Sequence, residues 1–138
     1  MLEFGQNAAK AVGLSRAEFN QLSAVTGALL KDTGLAMTDV ADRTNELAVR
    51  AADMASVMNT SVQDALSAIN QALRGETEAI RRYTGDVTDA VLAQFALAEG
   101  IRKPVAEMDE PEKRLLRLQV VMSQTEKFAG DFARTPDG

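Results

Sequence analysis

Cysteine, histidine and tryptophan are all missing from this 138-residue chain. Without cysteine there are no disulfides, thiolate nucleophiles or thiolate metal sites, a pattern suited to a reducing compartment. Without histidine the commonest general base and the commonest transition-metal ligand are gone as well. Aromatic residues make up only 4% of the chain, so a sheet sandwich filled by large rings is not expected. Long apolar runs are lacking too. The least polar stretch, Ala90 to Ala98, is broken by Gln94 and falls far short of the ~20 residues of a spanning helix. Met1-Leu-Glu-Phe-Gly carries no basic region followed by an apolar run, so no signal peptide is visible. Nor is there a basic block. The net charge is −5, and the clusters Arg81-Arg82, Arg102-Lys103 and Lys113-Arg114 each have carboxylates nearby. They read as solvated faces, and no specific nucleic-acid partner is expected.

What the chain does hold is alanine: 23 of its residues, within a composition that is 46% apolar. Such a chain favours helices packed closely on small side chains. Its length suits one domain, residues 1–138. Punctuation divides it into helices. Ser15-x-x-Glu18 has the form of a capping box opening a helix through Phe19, Leu22, Val25, Leu29 and Leu30 to Gly34. A second helix is predicted from Thr38 to Met58, with Val40, Thr44, Leu47, Ala51, Met54 and Met58 facing inward. Asp39 with Arg43, and Glu46 with Arg50, are spaced for i,i+4 pairs on its outer side. Ser61-x-x-Asp64 caps a third, carrying Val62, Ala65, Leu66, Ile69, Ala72 and Leu73 to Gly75. A short helix is predicted over Glu76 to Tyr83. The next runs from a cap at Asp86 or Thr88 to Glu99, and residues 101–108 form a connection around Pro104. Asp109-x-x-Glu112 with Pro111 opens the last, with Leu115, Leu118, Met122 and Thr125 on its inner face. Residues 130–138 read as a frayed tail. The expected class is all-α: a compact array of about five to six short-to-medium antiparallel helices with no β-sheet.

Reactive constellations are hard to find. Glu76 and Glu78 stand two apart at a predicted helix start, where acids suit the dipole and point in different directions. Asp39, Asp42 and Glu46 lie on neighbouring turns, but without the spacing of a calcium loop and with Arg43 and Arg50 between them. No Ser-x-x-Lys and no Gly-rich phosphate loop occurs. No catalytic, cofactor-binding or metal-binding residue is therefore assigned, and the chain is not expected to be an enzyme.

Three separated stretches carry a resemblance. Ala8-Ala9-Lys10-Ala11-Val12-Gly13-Leu14-Ser15 is similar to an opening pattern of bacteriophage tail tape measure proteins. Leu47 to Ala90 resembles that family's most recognisable block. In it Asp53-Met54-Ala55-Ser56 precedes Asn59-Thr60-Ser61, then Arg74-Gly75-Glu76-Thr77-Glu78, then Arg81-Arg82-Tyr83. Gly130-Asp131-Phe132-Ala133-Arg134-Thr135 matches a closing pattern, and the three follow in the family's order over nearly the whole chain. The chain departs from the pattern at Thr84, which separates Tyr83 from Gly85, and at Val57, where phenylalanine is frequent.

The resemblance implies a fragment of a much longer protein. Such a protein templates tail-tube assembly, sets tail length, occupies the tube lumen and leaves ahead of the DNA during ejection. It implies tail tube or tail tip proteins and tail assembly chaperones as partners, self-association, and contact with the host envelope at ejection. The places implied are the virion tail tube and, during assembly, the host cytoplasm. Repeated caps and glycine stops set this stretch apart from a rod-like ruler and suggest a folded docking module. The alternatives are a cell-wall-degrading module, which the want of a catalytic acid pair disfavours, and a membrane-active one. The latter would rest on residues 88–99, whose polar face lacks lysine and arginine.

Overall fold

A computed structural model describes residues 16–31 and 33–131. Among them are five α-helices: α1 (Arg16–Leu30), α2 (Met37–Met58), α3 (Val62–Leu73), α4 (Asp89–Ala98) and α5 (Glu110–Gln124). Three 3-10 turns, Ile80–Arg82, Val105–Glu107 and Glu126–Phe128, lie in the connections, and no strand occurs among the described residues. The all-α expectation holds. The Ser15 cap, the Ala8–Ser15 run and the closing Phe132, Arg134 and Thr135 lie outside the described residues.

The centre is the contact of α2 with α3. Ala48, Ala51, Ala52 and Ala55 of α2 and Ala65, Ala68 and Ala72 of α3 are all buried. Small side chains let two helices approach closely, and the larger Leu47, Met54, Leu66, Ile69 and Leu73 fill the flanks. α1 packs over α2 and α3, while α5 lies against α3, α1 and α4. One polar bridge crosses this interior. Thr26 Oγ1 of α1 donates to Asn70 Oδ1 of α3 at 2.6 Å, and both residues are buried. Burial without such a partner would be expensive for either group.

Helix ends follow local chemistry. Ser61 Oγ accepts from the Asp64 amide and Thr88 Oγ1 from the Val91 amide. Asp109 and Glu112 close a reciprocal capping box on α5, with Pro111 in the first turn. α2 ends in a left-handed Asn59, where the Thr60 amide reaches back to Ala55 O. α3 ends in the same way at Gly75: the Glu76 amide donates to Gln71 O and the Gly75 amide to Ala72 O, a Schellman closure.

Several boundaries and faces differ from expectation. Glu76 to Tyr83 is no α-helix; it is a turn with a single 3-10 segment at Ile80–Arg82. The nine residues between Gly75 and Gly85 are too few to nucleate a stable helix. Burial of Ile80 and Tyr83 against the core decides the path instead. The dipole account of Glu76 and Glu78 goes with that helix. On α5 the buried residues are Leu116, Arg117, Leu118, Val120 and Val121, with Leu115 and Met122 only half-buried. The helix is covered from more than one side, so its buried surface is broader than a single stripe and shifted by a residue. On α2, Met58 is exposed, while the five inward positions before it are buried. Arg43 pairs with Glu46 at 2.8 Å, three positions away, and Arg50 turns inward. Lys113 and Arg114 are half-buried: Lys113 faces Asp89 at 3.7 Å and Arg114 donates to Leu29 O at 3.3 Å.

Two glycines provide a test. Both Gly75 and Gly100 have positive φ, +96° and +77°. A Cβ at Gly100 would meet nothing within 4 Å, whereas at Gly75 it would lie 3.1 Å from the Arg117 guanidinium. Gly100→Ala should lower the unfolding free energy by about 1 kcal/mol through backbone strain alone. Gly75→Ala should cost about twice that, since Arg117 must also shift. Urea denaturation of the two variants beside the parent protein measures the difference, and equal losses would contradict it.

Candidate functional site

Residues far apart in sequence meet in space at three joints, the first two between stretches that carry the resemblance. The first lies along the C-terminal half of α2. Successive positions three apart, Arg50, Asp53 and Ser56, turn gradually around a helix and here face the segment that follows α5. Arg50 Nη1 donates to Met122 O at 3.2 Å and to Thr125 Oγ1 at 3.1 Å, serving carbonyl-rich α5 at its C-terminal end. Asp53, 4% exposed, accepts from the Gly130 amide at 3.0 Å. Ser56 Oγ donates to Asp131 Oδ2 at 2.8 Å. The Asp53–Ser56 motif and the start of the Gly130–Thr135 motif are thus brought together. Gly130 and Asp131, expected in a loose tail, are tied to α2.

At the second joint Thr60 and the buried Tyr83 share a hydroxyl–hydroxyl hydrogen bond of 3.0 Å. Tyr83 thereby satisfies its phenol while its ring packs on the core. The third joint is at Gly75. Arg117, 7% exposed, donates to Leu73 O at 3.1 Å and pairs with Glu110, its guanidinium lying against the glycine. A charge this buried is tolerable because a carboxylate and a helix-terminal carbonyl both engage it.

The remaining motif positions are structural or exposed. Met54 is buried in the core, Asn59 supplies the left-handed closure of α2, and Ser61 caps α3. Arg74, Glu76 and Glu78 are exposed and Thr77 is half-buried. Arg81 pairs with Asp86 at 2.7 Å on the surface.

Sequence reasoning passed over Arg117 and Asn70 and set Arg50 on the outer side of its helix. For Arg117 the available signal was one-sided: Val120 and Val121 follow it three and four positions on, while Lys113 and Arg114 precede it.

Two shallow grooves run beside the first joint and share Met122. One, of about 400 Å³, is lined by Asn45, Val49, Arg50, Asp53, Ala129 and Gly130 among others. The other, of about 380 Å³, is lined by Leu35, Arg43, Phe95, Glu99, Leu115 and Leu118 among others. Their walls are largely apolar. Asp39, Asp42 and Glu46 lie exposed on α2. Among the described residues no group of three or more carboxylates is placed to hold a metal ion. No helix among them is long and apolar enough to cross a membrane.

One surface pair has a defined electrostatic signature. Lys103 Nζ donates to both Glu112 oxygens at 2.8 and 2.9 Å. That hydrogen bond, with the Asp109 amide second, holds the Glu112 carboxyl below its ordinary range. The same bond raises the Lys103 ammonium above its ordinary value. Glu112 therefore contributes stability above the ordinary carboxylate range, lost as pH falls through its lowered pKa. Lys103 contributes below the ordinary lysine range, and its share is lost as pH rises through its raised pKa.

Two measurements follow. Arg50→Met keeps the apolar stem but removes two hydrogen bonds, and should cost about 1–3 kcal/mol in urea denaturation; a neutral outcome would remove Arg50 from the joint. Glu112→Gln should lower Tm at pH 7, the gap to the parent closing as pH falls through and below the ordinary glutamate value of 4.5. A gap that persists in acid would show that the capping geometry matters and the charge does not.

Comparison with protein-family models, with curated proteins and with solved structures gave no match for this chain.

Proposed function

We propose that this chain is a folded structural module of a bacteriophage tail tape measure protein, working through protein contacts in tail assembly and not through catalysis. The observation that carries the reading is the first joint. Two stretches that resemble the family, around Asp53 and Gly130, lie 77 positions apart and form one hydrogen-bonded contact. That supports taking the similar segments as parts of one folding pattern and not as chance likeness between alanine-rich helices. The earlier stretch, Ala8 to Ser15, adds its support from sequence alone.

Within that reading the module binds and does not measure. Its surface offers two adjoining, largely apolar grooves between α2, α4 and α5. Protein partners fit such a surface: tail tube or tail tip proteins, a tail assembly chaperone, or another copy of the chain. The place of action is the tail tube lumen, reached from the host cytoplasm during assembly. Release with the longer protein, and contact with the host envelope, belong to ejection.

The test is genetic and structural. Purified tails of the phage or prophage that encodes the chain should yield its peptides by mass spectrometry. In-frame removal of the 138-residue segment should block tail assembly while leaving the length of any surviving tail unchanged. A ruler segment of continuous helix would instead shorten tails by roughly 200 Å. Tails without these peptides would sink the tape measure reading, and shortened tails would sink the docking role.

A further inference from the structure

We propose that residues 125–131 form a strap that opens as one unit while the five helices stay folded, and that it gates the groove beside α2. The strap leaves α5 at Thr125, whose φ of −97° and ψ of 1° end the helix. It then makes a 3-10 turn at Glu126–Phe128 and comes to lie along α2. Its own turn is closed internally, by the Phe128 amide on Thr125 O and the Ala129 amide on Glu126 O.

Thr125 stays tied to α5 through its amide and hydroxyl on Val121 O, at 3.0 and 2.6 Å. Three bonds that fasten the strap to α2 are of one kind. At each, a side chain of α2 is one partner: Arg50 to Thr125 Oγ1, Asp53 from the Gly130 amide, Ser56 to Asp131. None belongs to the backbone ladder of a helix, so their rupture leaves the hydrogen bonds of α2 and α5 in place. Phe128 is the strap's buried apolar anchor, with the Lys127 ammonium 5.0 Å from its ring centre. Glu126, Lys127, Ala129 and Gly130 are exposed. A segment with one apolar anchor and side-chain fastenings is the kind that opens below the free energy of global unfolding.

Opening has a defined consequence. Ala129 and Gly130 form one bank of the 400 Å³ groove, whose floor includes Val49 and Met122. Met122 also lines the neighbouring groove with Leu115 and Phe95. Lifting the strap removes that bank and leaves the groove open along α2.

Native-state amide hydrogen exchange on the full chain tests it. In the parent protein the Gly130 amide should exchange at least 100-fold faster than the Ile69 and Leu73 amides of α3, with little dependence on added urea. Ser56→Ala, which removes the hydrogen bond to the half-buried Asp131, should speed Gly130 exchange by about tenfold and leave Ile69 and Leu73 unchanged. Asp53→Asn should act the same way and more strongly. Equal protection of Gly130 and the α3 amides, a rise shared by all of them in Ser56→Ala, or no rise at Gly130 would each overturn the strap.

Discussion

Everything in this fold depends on how closely α2 can lie on α3. The seven alanines buried along the two helices remove the bulk that would hold them apart. Close approach has a geometrical consequence, because polar groups on neighbouring turns are carried within hydrogen-bond reach of other elements. Asn70 directly follows Ile69 and sits one turn before Leu73, yet it meets Thr26 of α1 across the core. With bulkier residues in the seam the Thr26–Asn70 bridge would stretch, and two buried polar groups would lose each other. Thin cores of this kind gain less from each residue than leucine-rich ones, so the polar joints carry more of the specificity.

Those joints carry the strictest residue requirements in so plain a composition. A helix face can exchange Leu for Met or Ala for Ser with modest loss. A left-handed closure beside a buried guanidinium, as at Gly75 and Arg117, tolerates almost nothing else. The same holds for Asp53, whose carboxylate must reach one particular amide, and for Tyr83, whose hydroxyl must find Thr60. These residues mark where the chain changes direction. Glu76 and Glu78 illustrate the point: they flank the Gly75 closure, exposed, on a path set by Ile80 and Tyr83.

Helices α2, α3 and α5 were legible in the sequence because their signals are local. Ser61 and Asp109 cap within three residues, and the 3.6-residue repeat of Val40, Thr44, Leu47, Ala51 and Met54 needs no partner to be seen. What stayed hidden depends on tertiary placement. The stretch after Gly75 has helix-forming residues, but Ile80 and Tyr83 are drawn to the core, and packing overrides propensity. The face of α5 was read only in part: Leu118 and Thr125 are buried and Leu115 and Met122 half-buried. Cover from α1, α3 and α4 also buries Leu116, Arg117, Val120 and Val121, which no single-helix period can report. Arg50 and Arg117 look like surface cations until the chain termini of other helices are known to lie beside them. The Asp53–Gly130 contact spans 77 positions, beyond the reach of any local rule.

Folding back on itself also limits what the module can contribute to length. A helix of 22 residues such as α2 spans ~33 Å. The closures at Asn59, Gly75 and Gly100 turn the chain out of helical direction each time. Extent along an axis is then set by the longest element and not by the sum of all five. A protein that measures by helix rise would need these closures removed, and each is held by a specific interaction: Thr60 on Ala55, Glu76 on Gln71, Ile101 on Ala96. The interactions that close the helices are therefore the same ones that oppose an extended form. For the described residues a compact fold and an extended helix are competing arrangements of one sequence, and the joints favour the compact one.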